Sequence, residues 1–415
     1  MKKVLFFTSR FPAHSETFVV RQIDSLVQRG FDVRIVSLLP GDPKVSVDPA
    51  LLQQLQSRCH VMLQQKSGRL SKVLYRLRHG LRCFFNKDAR ASLNFSKFGI
   101  HSKELLLASI YGEQLKTGHD GFKADIIIAH FGTNAVLADK LRQLKLLSGK
   151  LFAVFHGFDI SSTELVKQYR DDYKTLFASD VLTLPVSELW AEKLVELGCP
   201  RQKIQVHRMG IDTDCFVYQE NNHILTQPLK VLSVARLTEK KGLIFAIRAI
   251  AELVKRNIKV TYKIIGTGPL LQQLEHEVEQ LNLSEFVEFA GFQNQTAIHS
   301  ALQQSDVFLL PSVTAANGDM EGVPVSLMEA MAKGVICLST YHSGIPELIE
   351  DKHSGLLVPE RDSNAIADAM ISLLEMENVN LLRQQARRTI ESRFNQHLLA
   401  AELASLIDGC VNEPS

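Results

Sequence analysis

The sequence predicts an α/β chain of two Rossmann-like, doubly wound parallel sheets, one in each half. Three observations carry that prediction. The chain has 415 residues, more than one compact core usually serves, so about two domains are expected. In both halves, short apolar runs of strand length alternate with segments of helical period. Between the halves, residues 212–228 form a polar stretch that holds Glu220-Asn221-Asn222-His223 and ends at Pro228.

The first half opens with an apolar run at 4–7, then a polar loop at 8–15. Ser15 is a good N-cap and Gly30 a good stop for a helix whose Phe18, Val19, Ile23, Leu26 and Val27 share one face. Strands are expected at 32–39, 126–129 and 151–155. The second half repeats the alternation, with strands at 230–235, 260–265, 286–289, 307–310 and 335–338. Continuous apolar runs of this kind suit parallel strands covered on both faces. Residues 1–211 are read as one domain, 212–228 as the linker and 229–377 as the second domain. The tail, 378–415, is helical and expected to pack back toward the first domain. In such sheets ligands bind beyond the carboxyl ends of the strands, so two facing sheets would offer their loops to one cleft.

Composition narrows the class. The chain is 45% hydrophobic and 22% charged, with a net charge of +2. No apolar run is long enough to cross a bilayer. The apolar region after Met1-Lys2-Lys3 is too short for a signal peptide, so a cytoplasmic protein is expected. Cys59, Cys83, Cys199, Cys215, Cys337 and Cys410 are scattered, with neither zinc-ligand nor disulfide-framework spacing.

The most informative loop runs from Pro311 to Gly334. It leaves a strand and enters a helix, with Pro324 suited to the first turn and Gly334 to its end. Glu321 lies at the loop exit; Glu329 follows after seven intervening residues. The backbone N–H groups of Gly322 and Val323 offer an anion site. A buried Glu329 carboxylate could accept from two adjacent ribose hydroxyls, although a lone glutamate pair more often makes local caps or ion pairs. Here it has company. Arg236 and Lys241 follow the first strand of the second half, where they suit a diphosphate or are simply solvated charges. Gly266 and Gly268 end another strand, and alone they read as a plain turn. His342-Ser-Gly344-Ile-Pro-Glu347 is a further glycine loop entering a helix.

Together these residues resemble the retaining family 4 glycosyltransferases of the GT-B fold, which share an E-x7-E signature. Glu321 and Glu329 match it, as do Arg236, Lys241, Gly266, Gly268 and the 354–358 segment. The resemblance implies that Arg236 and Lys241 bind a donor diphosphate and that Glu329 holds the nucleotide ribose. It implies that Glu321, with the backbone of Gly322 and Val323, holds the transferred sugar. In the first half, His156-Gly-Phe-Asp159 matches a motif whose histidine contacts that hexose, which makes His156 and Glu321 the catalytic candidates. His130, at the end of a neighbouring strand, and Asp159 are expected on the acceptor side. The family's glycine pair after strand one is absent. Ser15 and Glu16, at a helix N-terminus, are expected to face substrate instead. Ile336 replaces a proline common in relatives. The S-E-T-F and D-M-E-G-V-P segments are similar to a narrower group, the bacterial exopolysaccharide glycosyltransferases of the colanic acid and amylovoran type.

Seven basic residues and no acidic one fall between Lys66 and Lys87. They flank an apolar stripe, a pattern that suits either a membrane interface or a helix packed on the domain. Arg69, Lys72, Arg76 and Arg82 are the candidates for docking on an anionic membrane surface near a lipid-linked oligosaccharide acceptor. That would place the protein at the inner face of the cytoplasmic membrane. Nucleic acid is not an expected partner, because no stacking motif accompanies the patch. Trp190 is expected in the core. The implied reaction moves a hexose from a nucleotide sugar, a co-substrate rather than a cofactor. No D-x-D cluster accompanies the donor residues, so no metal is expected and cations must stabilise the leaving diphosphate. A nicotinamide dehydrogenase would need a glycine-rich turn after strand one, and the 8–15 loop has no glycine. A non-catalytic nucleotide-sugar-binding module remains the rival.

Overall fold

The computed structural model describes residues 1–13, 16–42, 48–62, 122–218 and 225–412. Ser15 and the whole 66–87 basic segment, with Arg69, Lys72, Arg76 and Arg82, lie outside them. The first sheet contains β1 (Lys3–Phe11), β2 (Asp32–Pro40), β3 (Cys59–Val61), β4 (Lys123–His130), β5 (Ser148–Phe155) and β6 (Leu182–Pro185). Its order is β3-β2-β1-β4-β5-β6, with every pairing parallel. The second contains β7 (Leu229–Val234), β8 (Val260–Ile265), β9 (Val287–Gly291), β10 (Val307–Leu310), β11 (Ile336–Thr340) and β12 (Leu356–Val358). Its order is β12-β11-β10-β7-β8-β9, again all parallel.

The expected architecture is therefore present, with differences in detail. β1 runs four residues beyond the apolar run, because Thr8 to Phe11 stay paired with β2. The short strands β3 and β6 are interrupted by His60 and Thr183, so they do not stand out as apolar runs. Both sheets are buried on both faces, and Trp190 is in the core as expected, 1% exposed. Each sheet reverses its strand order once, between β1 and β4 and between β7 and β10. Crevices at such switch points are where α/β sheets bind ligands.

The chain crosses between the domains at two adjacent places. Ile211 bridges Asn395, and the Ile211 N–H donates to the Phe394 carbonyl at 3.0 Å. The two tail helices divide at this crossing. Asn380–Arg393 packs on the second domain, where Ala386 and Ile390 join its core. Gln396–Asn412 alone returns to the first domain, where Leu403 and Ile407 join that core. Asp212, Asp214 and His397 also meet at the crossing, the one group of candidate metal ligands among the described residues. No helix among those residues is long and apolar enough to cross a membrane.

Candidate active site

The second-domain wall begins at the β7–β10 switch point. Beyond β7 the chain makes a short 3-10 turn, Glu239–Lys241, that aims two lysines at the loop after β10. Lys241 Nζ lies 2.8 Å from Glu321 Oε1, and Lys240 Nζ lies 3.0 Å from Asp319. Glu321 is 6% exposed. Burial alone would raise its carboxyl, but the Lys241 and Lys240 charges outweigh that and hold it below the ordinary range. Behind it, the Glu321 N–H donates to His342 Nε2 at 3.1 Å, so the ring's proton sits on Nδ1, which lies 2.5 Å from Glu360. Ser343 Oγ donates to the Glu321 carbonyl. The loop is thus fixed by buried polar partners. Among the described residues the Gly322 and Val323 N–H groups have no partner at its exit, just before the Val325–Lys333 helix. Pro324 caps that helix rather than entering its first turn.

Arg236 is exposed and makes no ion pair among the described residues. Gly266 and Gly268 serve the fold first: a Cβ on either would come within 1.9 Å or 2.4 Å of the Ala235 or Leu237 carbonyl oxygen. They let the β8 loop lie against the Arg236 loop, so they act on that arginine's position. Glu329 is half-buried. Burial pushes its carboxyl up to about 7, against the Arg21 charge and a Gln295 hydrogen bond that pull it down. Because the folded form then holds its proton more tightly than the unfolded chain, this residue's contribution lowers stability as pH rises from about 4.5 through 7. Glu329→Gln removes that loss. Its melting temperature relative to wild type should climb between about pH 5 and pH 8, and a constant difference would contradict the assignment.

The first-domain wall stands at the ends of β1, β4 and β5. His156 follows β5 and packs between two aromatic rings, Phe18 at 4.9 Å and Phe131 at 4.6 Å between centroids. Phe131 holds a φ of 69°, a strained conformation for a bulky residue of the kind that gathers at functional sites. His130 and Asp159 are corrections to the sequence reading. His130 is fully buried behind His156, with its Nδ1 3.0 Å from His156 Nε2. Asp159 is 1% exposed, and its carboxylate accepts from the N–H groups of Gly132, His156 and Gly157. It clamps the β4 and β5 loops together, and neither residue lines an acceptor surface. Glu16 precedes the Thr17–Gln28 helix; burial and then Asp42 push its carboxyl up to about 7.

The two walls touch. A Cβ on Gly322 would sit 2.3 Å from the His156 carbonyl oxygen, so only glycine allows the β10 and β5 loops to meet backbone to backbone. Thr163 N–H donates to the Asn317 carbonyl at 2.9 Å, and Met320 N–H to Ser161 Oγ at 3.1 Å. Glu347 reaches across to Arg208 at 3.0 Å and to the Leu189 N–H at 3.2 Å. The Glu321 loop, with Lys241 paired to it, therefore meets the His156 loop backbone to backbone.

A family model described as glycosyl transferases group 1 matches residues 217–392. A protein of Escherichia coli named for colanic acid biosynthesis, the glycosyltransferase WcaL, is 43% identical over 98% of this chain and 99% of its own. The chain belongs to this glycosyltransferase family. The amylovoran biosynthesis glycosyltransferase AmsK of Erwinia amylovora is 42% identical, again over 98% of this chain and 99% of its own. Among solved structures, Anabaena HepE in complex with UDP and glucose superposes with a TM-score of 0.69 at 16% identity, over 99% of this chain and 100% of that one. That likeness fixes the fold as GT-B.

In this glycosyltransferase the sequence reading noted the His342 loop without a role for its histidine, and did not single out Glu360, Gln22 or His207. His342 and Glu360 brace the Glu321 loop, and Gln22 and His207 continue the bonds behind His156. Gln22 had a usable signal. It is four residues from both Phe18 and Leu26, so a polar side chain sits in the buried stripe of its helix.

Proposed function

We propose that this glycosyltransferase moves a hexose from a nucleoside diphosphate sugar to a lipid-linked saccharide acceptor, with retention at the anomeric carbon, during exopolysaccharide assembly. The carrying observation is the Lys241–Glu321 pair at the switch-point crevice, beside two unpaired backbone N–H groups and against the His156 loop. Lys241 and Arg236 receive the diphosphate; the half-buried Glu329 accepts from the ribose, and the N–H groups of Gly322 and Val323 lie beside Glu321 on the sugar. Glu321 and His156 hold the sugar from opposite walls. The bond from the anomeric carbon to the diphosphate breaks while the acceptor oxygen bonds on the same face. The acceptor's proton passes to the leaving phosphate oxygen, so no protein nucleophile is needed. HepE's complex with UDP and glucose, and the colanic acid and amylovoran names of the relatives, support this reading by likeness.

Release of nucleoside diphosphate from a nucleotide sugar, dependent on added membrane lipid extract, tests it. A module that only binds the sugar would release none. With cationic side chains and helix-end amides stabilising the leaving group, turnover should be unchanged in EDTA. Loss of activity restored by Mn²⁺ would contradict that leaving-group chemistry.

The acceptor side is proposed to sit at the inner face of the cytoplasmic membrane, docked by the Lys66–Lys87 segment. Each basic residue near an anionic surface contributes about 1 kcal/mol. Four of them would then raise binding roughly a thousandfold, an effect that salt screens. Wild type should float with anionic liposomes at low salt, and a variant with Arg69, Lys72, Arg76 and Arg82 changed to Ser should not. Equal flotation of the two proteins would overturn this membrane reading.

A further inference from the structure

Behind His156 runs a buried chain of hydrogen bonds that the reaction as described does not use. His156 Nε2 lies 3.0 Å from His130 Nδ1, and His130 Nε2 lies 2.9 Å from Gln22 Oε1. At the other end of the amide, Gln22 Nε2 lies 3.2 Å from His207 Nε2. Gln22, His130 and His207 are all at most 7% exposed. His130 is held further by Asn134, which donates to its carbonyl at 2.8 Å, and by the Phe6 ring stacked on it. Burial pushes all three imidazoles down: His156 to about 3, His207 to about 4 and His130 well below its ordinary range. Each ring near neutral pH is therefore uncharged, with one donor nitrogen and one acceptor.

In such a chain, every bond follows from the one member whose ends are chemically distinct. That member is Gln22: its Oε1 only accepts and its Nε2 only donates. His130 must then carry its proton on Nε2 and offer a lone pair at Nδ1. His156 must donate from Nε2, which leaves the lone pair on Nδ1. His207 accepts at Nε2 and is protonated on Nδ1. Among the described residues the His156 Nδ1 has no partner, and the Phe18 and Phe131 rings pack close around the imidazole.

We propose that Gln22 sets the polarity of this chain and His130 passes it on, so that His156 meets the transferred sugar as a hydrogen-bond acceptor at Nδ1. The chain thereby selects a donor whose hexose carries a hydroxyl opposite that atom. Gln22 and His130 are positioning residues. The sugar contact rests on the proposed function, whereas the polarity belongs to the protein alone. The two are separable by experiment.

Two-bond proton–nitrogen NMR of the full-length protein, labelled with ¹⁵N at histidine and without ligand, reads the tautomers. His156 and His130 should be protonated at Nε2 and His207 at Nδ1. A proton on His156 Nδ1 would mean the amide is reversed and would overturn the polarity, whatever the kinetics. Gln22→Leu should then mix the His156 tautomers and lower kcat about tenfold without changing nucleoside diphosphate affinity, on the order of one hydrogen bond. Gln22→Glu, which keeps an acceptor for His130, should restore the His156 tautomer and most of kcat. With donors deoxygenated one position at a time, one deoxy sugar should lose turnover. Its fluoro counterpart should lose as much, because fluorine cannot donate. Predicted tautomers with wild-type kcat in Gln22→Leu, or no sensitive hydroxyl, would overturn the sugar contact and the selectivity.

Discussion

Lys241→Ala is expected to weaken nucleoside diphosphate binding about tenfold or more and to remove nearly all turnover. Two losses combine. The diphosphate loses a charge-assisted bond of about 1.5–3 kcal/mol. Glu321 loses the cation 2.8 Å away that keeps it ionised. Among the described residues Lys240 is the lysine left nearby, and that side chain is already paired with Asp319 at 3.0 Å. Removing one partner of a buried pair typically costs about 3–5 kcal/mol. The variant should therefore also melt at a lower temperature. Glu321→Gln separates the effects, because it removes the carboxylate and leaves Lys241 in place for phosphate. It should keep diphosphate affinity while losing kcat. Calorimetry showing unchanged affinity in Lys241→Ala would remove the lysine from the donor site.

His156→Ala should lower kcat by roughly ten- to a hundredfold, the range expected for one or two kcal/mol-scale bonds made in the transition state, with little change in nucleotide affinity. The histidine stands on the first-domain wall, whereas the groups proposed for the nucleotide belong to the second. The substitution also strips His130 Nδ1 of its partner at 3.0 Å, inside a fully buried site. Some loss of stability is expected for that reason, and His156→Asn, which can still donate to His130, should recover stability more than rate. If both kcat and affinity stayed at wild-type values, His156 would be a packing residue only.

What the sequence disclosed here follows from how local each signal is. Glu321 and Glu329 were legible because one strand, one loop and one helix hold both, so their spacing survives in a linear reading. Lys241 was legible for the same reason, although its pairing with Glu321 was not, since 80 positions and a switch point separate them. His130 and Asp159 were recognised as strand-end polar residues but set on the wrong surface. Their depth depends on which side chains cover them, and Phe131, Gly132 and His156 come from two different strand ends. Both sheets were visible as apolar runs. The short β3 and β6 were not, because His60 and Thr183 interrupt them, whereas the equally short β10 is an unbroken apolar run. The tail was read as helical throughout, yet its division at Phe394–Gln396 follows from pairing with the distant Ile211, the last residue before the linker.

The most direct test of the central claim is nucleoside diphosphate release from a panel of nucleotide sugars, with membrane lipid extract supplied as acceptor. Wild type should release diphosphate from one sugar of the panel, in proportion to the extract added. Lys241→Ala and Glu321→Gln should release almost none. Release that persists at the wild-type rate in both variants, or no release from any sugar, would contradict a donor site built on the Lys241–Glu321 pair.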